Sequence, residues 1–157
     1  MSNPRKATPP GIKHAPLELE HFLPYRLSIL SNTVSQGIAD DYQRLYDLSM
    51  TEWRVMAVLA RFEGLSAREV ADRTAMDKVA VSRALARLVE AGRVSRHMAD
   101  NDKRRSVLDL TEAGWAIHDV VAPMARAREQ ALLDKLNAEE RTWLMRILDR
   151  LQDRSTK

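Results

Sequence analysis

The sequence of 157 residues contains no cysteine and no long apolar run. The absence of cysteine excludes disulfides and thiolate metal sites, and it suits a reducing compartment. No segment approaches the ~18 apolar residues that a membrane-spanning helix requires. The first residues, Met1–Arg5, lack the apolar core of a signal peptide. We therefore expect a cytoplasmic protein.

The sequence also lacks the features that mark most catalytic sites. It has no Gly-rich phosphate-binding loop and no Ser/His/Asp grouping that would activate a nucleophile. Its four histidines form no recurring metal-ligand pattern with acidic residues: His14, His21, His97 and His118. The sequence therefore predicts a protein that is not an enzyme and requires neither a metal nor another cofactor.

The charge of the chain is modest but unevenly distributed. The formal net charge is +3. Between Ser66 and Arg105, ten basic residues stand against six acidic ones, which leaves +4 in this segment and −1 in the rest of the chain. A solvated surface of mixed charge is one explanation. Concentration of the excess in one segment favours a surface that faces phosphates.

The segment from Ser66 to Gly92 has the pattern of two short helices joined by a tight turn. Ser66 and Glu69 have the spacing of a capping box, and the helix that they begin should end near Thr74. Asp77 is placed to cap a second helix, and Gly92 suits the left-handed position that ends it. The second helix carries an apolar stripe of Val81, Leu85 and Leu88. Two such helices, the second basic, indicate a helix-turn-helix.

Two segments of alternating apolar and polar residues follow, at 94–98 and 106–110, and each is typical of a β-strand. The polar stretch between them, 99–105, is predicted to be a loop too long for a two-residue hairpin turn. A helix-turn-helix followed by a hairpin with arginines at its tip indicates a winged helix. Such a fold can place a helix in the major groove of DNA and a basic tip in a narrow minor groove.

Amphipathic helices are predicted before this centre. The segment Leu17–Asp47 has helical periodicity, and its main helix should begin near Pro24. Thr51 is the expected cap of the next helix, with Glu63–Gly64 at its end.

Two further helices are predicted after the hairpin. Thr111 and Glu112 should begin a long helix that Pro123 kinks or breaks. A capping box at Asn137–Glu140 should open the last helix. Together the terminal helices have more apolar stripe than one small winged domain can cover.

Five ordered blocks of the sequence carry a resemblance to a known family. They are Leu48–Val55, Asp77–Arg83, Leu88–Gly92, Asp102–Arg104 and Leu110–Gly114. With these blocks the chain resembles the MarR family of bacterial transcription regulators from about residue 17 onward. The family's wing usually reads Asp-Pro-x-Asp-x-Arg. In this chain Ala99 and Asp100 replace the first pair, whereas Asp102 and Arg104 are retained.

The expected fold is mainly α (α+β by strict count), a winged helix-turn-helix with a two-stranded β wing and long N- and C-terminal dimerisation helices. We expect a flexible tail at 1–16 and a single domain at 17–157. In that domain, 17–47 and 112–154 would be dimerisation helices and 48–111 the DNA-binding lobe. The tail is either inert or an electrostatic arm. The terminal helices pack either within one chain or, as the resemblance implies, in a two-fold dimer that matches a palindromic site.

The resemblance also implies roles for individual residues. Those in or beside the major groove are Lys78, Val79, Ala80, Ser82 and Arg83. Arg83 would bind a guanine bidentately or contact phosphate alone. The wing residues are Asp102, Lys103, Arg104 and Arg105. Arg104 would enter the minor groove with Asp102 orienting it, and Lys103 and Arg105 would contact phosphates. The alternative is that the tip is solvated. Further phosphate contacts are expected from Arg54, Ser66, Arg68, Arg87, Arg96 and Thr111.

Family members often bind small anionic, commonly aromatic compounds where the end helices meet the winged lobe. Residues that would line such a site are His21, Tyr25, Arg26, Ser28, Asn32 and Trp53. Arg26 beside an aromatic ring would suit a carboxylate. The alternative is that these are ordinary core, surface or dimer residues.

The predicted function is that of a dimeric, sequence-specific DNA-binding regulator, a repressor of palindromic operators relieved by a small anionic or aromatic ligand. One alternative is a non-specific architectural DNA-binding protein, which would be expected to carry more positive charge than +3. The other is a winged-helix protein-interaction module, which would expose an apolar patch.

Overall fold

The computed structural model describes residues 15–100 and 102–152, and for residues 102 and 103 it describes the backbone alone. Of the predicted tail at 1–16, residues 1–14 lie outside the described residues. The elements are a 3-10 turn at Leu19–His21, then α1 (Leu23–Tyr46), α2 (Met50–Arg61), α3 (Ala67–Thr74), α4 (Lys78–Glu90), β1 (Val94–Ala99), β2 (Asp102–Leu110), α5 (Glu112–Leu133) and α6 (Ala138–Gln152). The predicted mainly α, winged helix-turn-helix fold with a two-stranded sheet is confirmed.

The chain divides into two compact units, Met1–Thr33 and Val34–Lys157. In the first unit, the described residues form the 3-10 turn and the beginning of α1, and all of their side chains are exposed. In the second unit, α2 packs against α3, α4, α5 and β2. The largest fully buried side chains include Tyr42, Leu48, Met56, Leu85, Leu88 and Leu108. The hydrophobic core of the second unit therefore surrounds α2.

A capping box begins α2, but at Ser49 and not at the predicted Thr51. The Ser49 amide donates to Glu52 Oε2 at 2.8 Å, and the Glu52 amide donates to Ser49 Oγ at 3.2 Å. Thr51 lies within the first turn, so the prediction was wrong by two residues. The Ser49–Glu52 spacing satisfies two orphan amides, whereas a cap at Thr51 has no acidic partner three residues later. The helix ends at Arg61, before the predicted Glu63–Gly64.

The helix-turn-helix has the predicted boundaries. Ser66 and Glu69 form the capping box of α3, which ends at Thr74. Ala75 supplies the left-handed turn residue with a φ of 52°. Asp77 caps α4 by accepting the Ala80 amide at 2.9 Å. Gly92, with a φ of 69°, follows the end of α4, where a side chain would be strained.

The wing differs from the prediction at its tip. The strands extend through Ala99 and from Asp102, so most of the predicted loop at 99–105 belongs to β-strands. Met98 pairs with Ser106, but the next residue, Ala99, pairs with Asp102. Three residues of β2, 103–105, consequently have no Cα partner on β1. The sequence did not predict these additional strand residues, because a strand with an irregular ladder does not alternate apolar and polar residues.

The last two helices agree with the prediction from the sequence, except at Pro123. Thr111 caps α5, which continues through Pro123 to Leu133, so Pro123 does not break it. Asn137 and Glu140 form the predicted capping box of α6. Among the described residues, no helix combines the length and apolarity needed to cross a membrane.

Candidate nucleic-acid interface

One face of α4 is polar and basic, and the opposite face is buried. The side chains of Lys78, Ser82 and Arg83 are exposed, whereas Val81, Ala84, Leu85 and Leu88 are buried in the core. Val79 is 57% exposed beside these cations, and Ala80 is half-buried. The helix therefore presents donors and a small apolar surface together, as base edges in a major groove require.

The groove between α3 and α4 continues this surface. It has a volume of about 400 Å³, and it is lined by Arg68, Lys78 and Ser82 together with Ala67, Ala71, Val81 and Leu85. The apolar residues form its floor, since Val81 and Leu85 are buried. Arg68 and Lys78 thus place two cations at one groove, a suitable arrangement for a phosphate.

Two of the predicted phosphate contacts serve as helix caps. The Ser66 hydroxyl donates to Glu69 Oε2 at 2.7 Å and accepts the Glu69 amide. The Thr111 hydroxyl donates to the Gly92 carbonyl oxygen at 2.6 Å and accepts the Gly114 amide. Each hydroxyl proton is thus already used within the protein. A phosphate at either position would have to displace an internal hydrogen bond.

Arg87 has an internal partner that the sequence did not reveal. Its Nε lies 3.5 Å from Glu52 Oε1, and the Glu52 side chain is only 4% exposed. A buried carboxylate requires hydrogen bonds or a counter-charge, and Glu52 has both, from the Ser49 amide and from Arg87. Arg87 is itself 58% exposed, so this pairing leaves part of its side chain at the surface.

Three arginines of the described wing differ in the contacts that they make. Arg96 is exposed on β1, and no ion pair within 4 Å links it to another residue of the described ranges. Arg104 is exposed on β2. Arg105 Nη2 instead donates to Glu69 Oε2 at 2.8 Å and to the Gly64 carbonyl oxygen at 3.2 Å. The side chains of Asp102 and Lys103 lie outside the described part of the structure.

A cavity of about 260 Å³ lies between α1 and α2 within the second unit. Its lining includes Tyr42, Trp53 and Arg54, with Ser35, Ile38, Met50 and Ala57. Burial raises the pKa of Tyr42 to about 12, and the positive charge of Arg54 acts in the opposite direction. The cavity thus combines aromatic rings with one guanidinium group. Arg54, predicted to contact phosphate, thus also lines this cavity.

Aromatic contacts extend this cavity wall towards α5. The Trp53 ring lies 6.0 Å from the Tyr42 ring and stacks on His118 at 5.8 Å. Trp115 meets His118 edge-on at 5.2 Å. Of the six residues predicted to line a ligand site, Trp53 belongs to this unit.

The other five predicted ligand-site residues belong to the first unit, where all are exposed: His21, Tyr25, Arg26, Ser28 and Asn32. Tyr25 and Arg26 line a shallow depression there with Ile29, Leu30 and Thr33. An aromatic ring and a cation therefore line the same depression. Within residues 15–100 and 102–152, no cluster of three or more His, Asp or Glu side chains could hold a metal ion.

Sequence reasoning missed the internal partners of Arg87 and Arg105. Both partners, Glu52 and Glu69, occupy the N3 position of a capping box. The sequence predicted this capping role for Glu69 in α3. Their second role depends on which residues the fold brings beside them, 35 or 36 positions away along the chain. No periodicity in the sequence signals such a pair.

Comparison with known proteins gives one consistent result. Residues 46–105 match the model of the MarR family. The transcriptional regulator HosA from Escherichia coli is 26% identical over 124 residues, which cover 79% of this chain and 92% of HosA.

Solved structures share the fold over most of the chain. A MarR/EmrR family transcriptional regulator from Acinetobacter sp. ADP1 is 27% identical, with a TM-score of 0.79, and the match covers 87% of this chain and 96% of that one. The MepR–DNA complex of S. aureus shares the fold at 21% identity, with a TM-score of 0.73 and coverage of 83% and 96%. The chain is therefore similar to MarR family transcriptional regulators, in sequence over residues 46–105 and in fold over most of its length.

Proposed function

We propose that the protein is a dimeric repressor that reads a pseudo-palindromic operator and is released from it by a small aromatic anion. One observation carries the DNA-reading part of this proposal. The capped α4 presents Lys78, Ser82 and Arg83 to solvent at its first turns, while its other face is fixed in the core. A rigid helix with exposed donors at its N-terminal end can dock in a major groove without rearrangement.

Uncovered apolar surface supports the dimer. No residue of α6 is buried. Trp143, Ile147 and Leu151, spaced at four residues, are 52%, 49% and 61% exposed and lie on one face of the helix. Among the described residues of the first unit, eight large apolar side chains are exposed: Leu17, Leu19, Phe22, Leu23, Tyr25, Leu27, Ile29 and Leu30. Surfaces of this kind are normally covered by a partner, and a second copy would also supply the second half-site contact.

The cavity beside Arg54 supports the ligand. A volume of about 260 Å³ is at the small end of ligand sites and suits a compound with a single ring. Trp53 and Tyr42 offer aromatic faces, and Arg54 offers a fork of donors that matches a carboxylate. A ligand that favours one spacing of the two DNA-reading helices would weaken operator binding.

The proposal is tested first by selecting duplexes from a random pool at near-physiological salt. We expect enrichment of a pseudo-palindrome whose half-sites lie about one helical turn apart. Binding without enrichment, and with a collapse as salt rises, would leave only contacts to phosphate and would support an architectural protein instead. That outcome would refute the specific repressor.

Base reading is tested by Arg83→Ala. Loss of a bidentate contact should weaken specific binding by about 1–3 kcal/mol and relax the base preference at one position of each half-site. Arg44→Ala is the matched control. Arg44 is an exposed cation on α1, and its replacement lowers the net charge by one, as that of Arg83 does. Equal losses on operator and random DNA would show that Arg83 contacts phosphate alone.

The ligand site is tested by titrating the protein–operator complex with benzoate, with neutral benzamide as the control compound. We expect benzoate to lower operator affinity, and we expect Arg54→Gln to abolish this response, because the carboxylate loses its counter-charge. A response that persists in Arg54→Gln, with a salt dependence lowered by about one ion, would instead place Arg54 on a phosphate.

A further inference from the structure

The base of the wing is tied to the connection between α2 and α3 by several contacts. The Leu108 amide donates to the Leu65 carbonyl oxygen at 2.9 Å, which forms a bridge beside β2. The Gly64 amide donates to Asp109 Oδ1 at 3.4 Å. Asp109 Oδ2 in turn lies 3.5 Å from His97 Nε2 on β1. These contacts hold residues 108 and 109 of the wing against residues 64 and 65.

The next stretch of β2 towards the tip lies at an irregularity of the β1–β2 ladder. Residues 103–105 lie where the ladder jumps from Met98–Ser106 to Ala99–Asp102, so they have no Cα partner on β1. Backbone pairing normally fixes the direction of a strand. Where this pairing is irregular, side-chain contacts contribute to the direction of the strand.

Arg105 supplies such a contact. Its guanidinium group reaches Glu69 Oε2 at 2.8 Å and the Gly64 carbonyl oxygen at 3.2 Å. Glu69 is itself held in place, because the same oxygen accepts the Ser66 amide and the Ser66 hydroxyl. Consistent with these contacts, the pKa of Glu69 is lowered to about 2 by the two hydrogen bonds from Ser66 and by Arg105. The arginine is therefore bound to a fixed carboxylate at the start of α3.

We infer that Arg105 is a positioning residue that orients the wing tip through Glu69, and that it does not contact phosphate. Arg104 is the neighbour of Arg105 on β2, so binding of Arg105 towards α3 fixes the backbone from which Arg104 extends. The inference rests on the proposed function, since it assigns Arg104 to the minor groove. It revises the phosphate contact that the sequence suggested for Arg105.

The test uses the full-length protein on its selected operator, with A·T-rich or G·C-rich flanks. The variants are Arg105→Gln, Glu69→Gln and the double substitution. Glutamine at position 69 still supports a capping box, so Glu69→Gln removes the charge partner and keeps the cap. Arg96→Gln is the matched control, because Arg96 is also a wing cation but has no ion-pair partner within 4 Å among the described residues.

We expect Arg105→Gln and Glu69→Gln each to weaken binding to the A·T-flanked operator by about tenfold, and the double variant to be no weaker than either one. The G·C-flanked operator should lose less, because its wider minor groove attracts arginine less strongly. The slope of log affinity against log salt should stay unchanged in Arg105→Gln and fall by about one in Arg96→Gln. Arg105→Lys should restore part of the preference for A·T flanks.

Three results would overturn the inference. A slope lowered by about one in Arg105→Gln would show a direct phosphate contact. Additive losses in the double variant would show that the two residues act independently. An unchanged flank preference in Glu69→Gln would show that the pair does not orient the tip. Failure of the wild-type protein to select any operator would refute the proposed function, whereas thermal unfolding of the DNA-free variants would still report whether residues 69 and 105 are coupled.

Discussion

Gly114 occupies a position in which even one methyl group does not fit. A Cβ built there would overlap the carbonyl oxygen of Arg93 and come within 3.2 Å of the Leu110 side chain. The same carbonyl accepts the Thr111 amide at 3.1 Å, and the Arg93 side chain binds the Tyr46 carbonyl oxygen at 2.6 Å. The glycine of the Leu-Thr-Glu-Ala-Gly block thus lets α5 begin directly against the turn that follows α4.

Gly114→Ala should therefore lower the stability of the protein by about 2–3 kcal/mol, because the backbone of α5 or of Arg93 must shift. The change is measured as the free energy of unfolding in urea. Gly37→Ala is the control, since a Cβ at Gly37 within α1 meets nothing within 4 Å and should be neutral or stabilising. Equal changes in the free energy of unfolding for the two substitutions would show that the backbone around residue 114 accommodates a methyl group without loss of stability.

The caps show what the sequence reveals about single residues. Ser66, Asp77 and Asn137 were predicted because each precedes its helix at the spacing that caps require. At α2, two hydroxyl residues stood two positions apart, and only the position of Glu52 distinguishes Ser49 from Thr51. The internal roles of Arg87 and Arg105 could not be predicted, because tertiary packing creates them.

At the scale of the elements, the start of α3 depends on the charge of Glu69. Its pKa in the folded protein is lowered from 4.5 to about 2 by its hydrogen bonds to Ser66 and Arg105. A carboxyl group with a lowered pKa stabilises the folded state fully above its unfolded pKa, and this stabilisation is lost as the pH falls towards the folded pKa. The relevant window is therefore between pH 4.5 and 2.

Glu69→Gln should make the stability of the protein less dependent on pH within that window, because the variant has no proton to take up at this position. Urea unfolding of both proteins at several pH values between 2 and 7 gives the comparison. Glu63→Gln, at an exposed residue just before α3, should unfold with the pH dependence of the wild type. Parallel curves for wild type and Glu69→Gln would contradict the role of the charge.

At the scale of the whole molecule, the uncovered face of α6 determines the expected assembly. Ile147→Glu places a charge in the middle of the stripe formed with Trp143 and Leu151. Burial of that charge in a dimer interface is costly, so the dimer should dissociate at concentrations where the wild type stays associated. Sedimentation equilibrium measures the change, and operator affinity should fall with it.

Asp149→Lys is the control for this substitution. Two residues along a helix correspond to about 200° of rotation, so residue 149 lies on the face opposite to Ile147. The side chain of Ile147 is 49% exposed, so its replacement does not disturb a buried core residue. A wild-type protein that sediments as a monomer, or a dimer that Ile147→Glu leaves intact, would refute the proposed interface.

The interrupted ladder of the wing has a consequence for how such a protein can change. The hairpin register is fixed below Met98–Ser106 by backbone pairing and by the bridge from Leu65 to Leu108. An insertion beyond that point would lengthen the tip by up to about 3.3 Å for every two residues, one in each strand, and would leave the core unchanged. The tip is in this sense an adjustable spacer, whose length can be matched to a different groove while the scaffold that carries it stays the same.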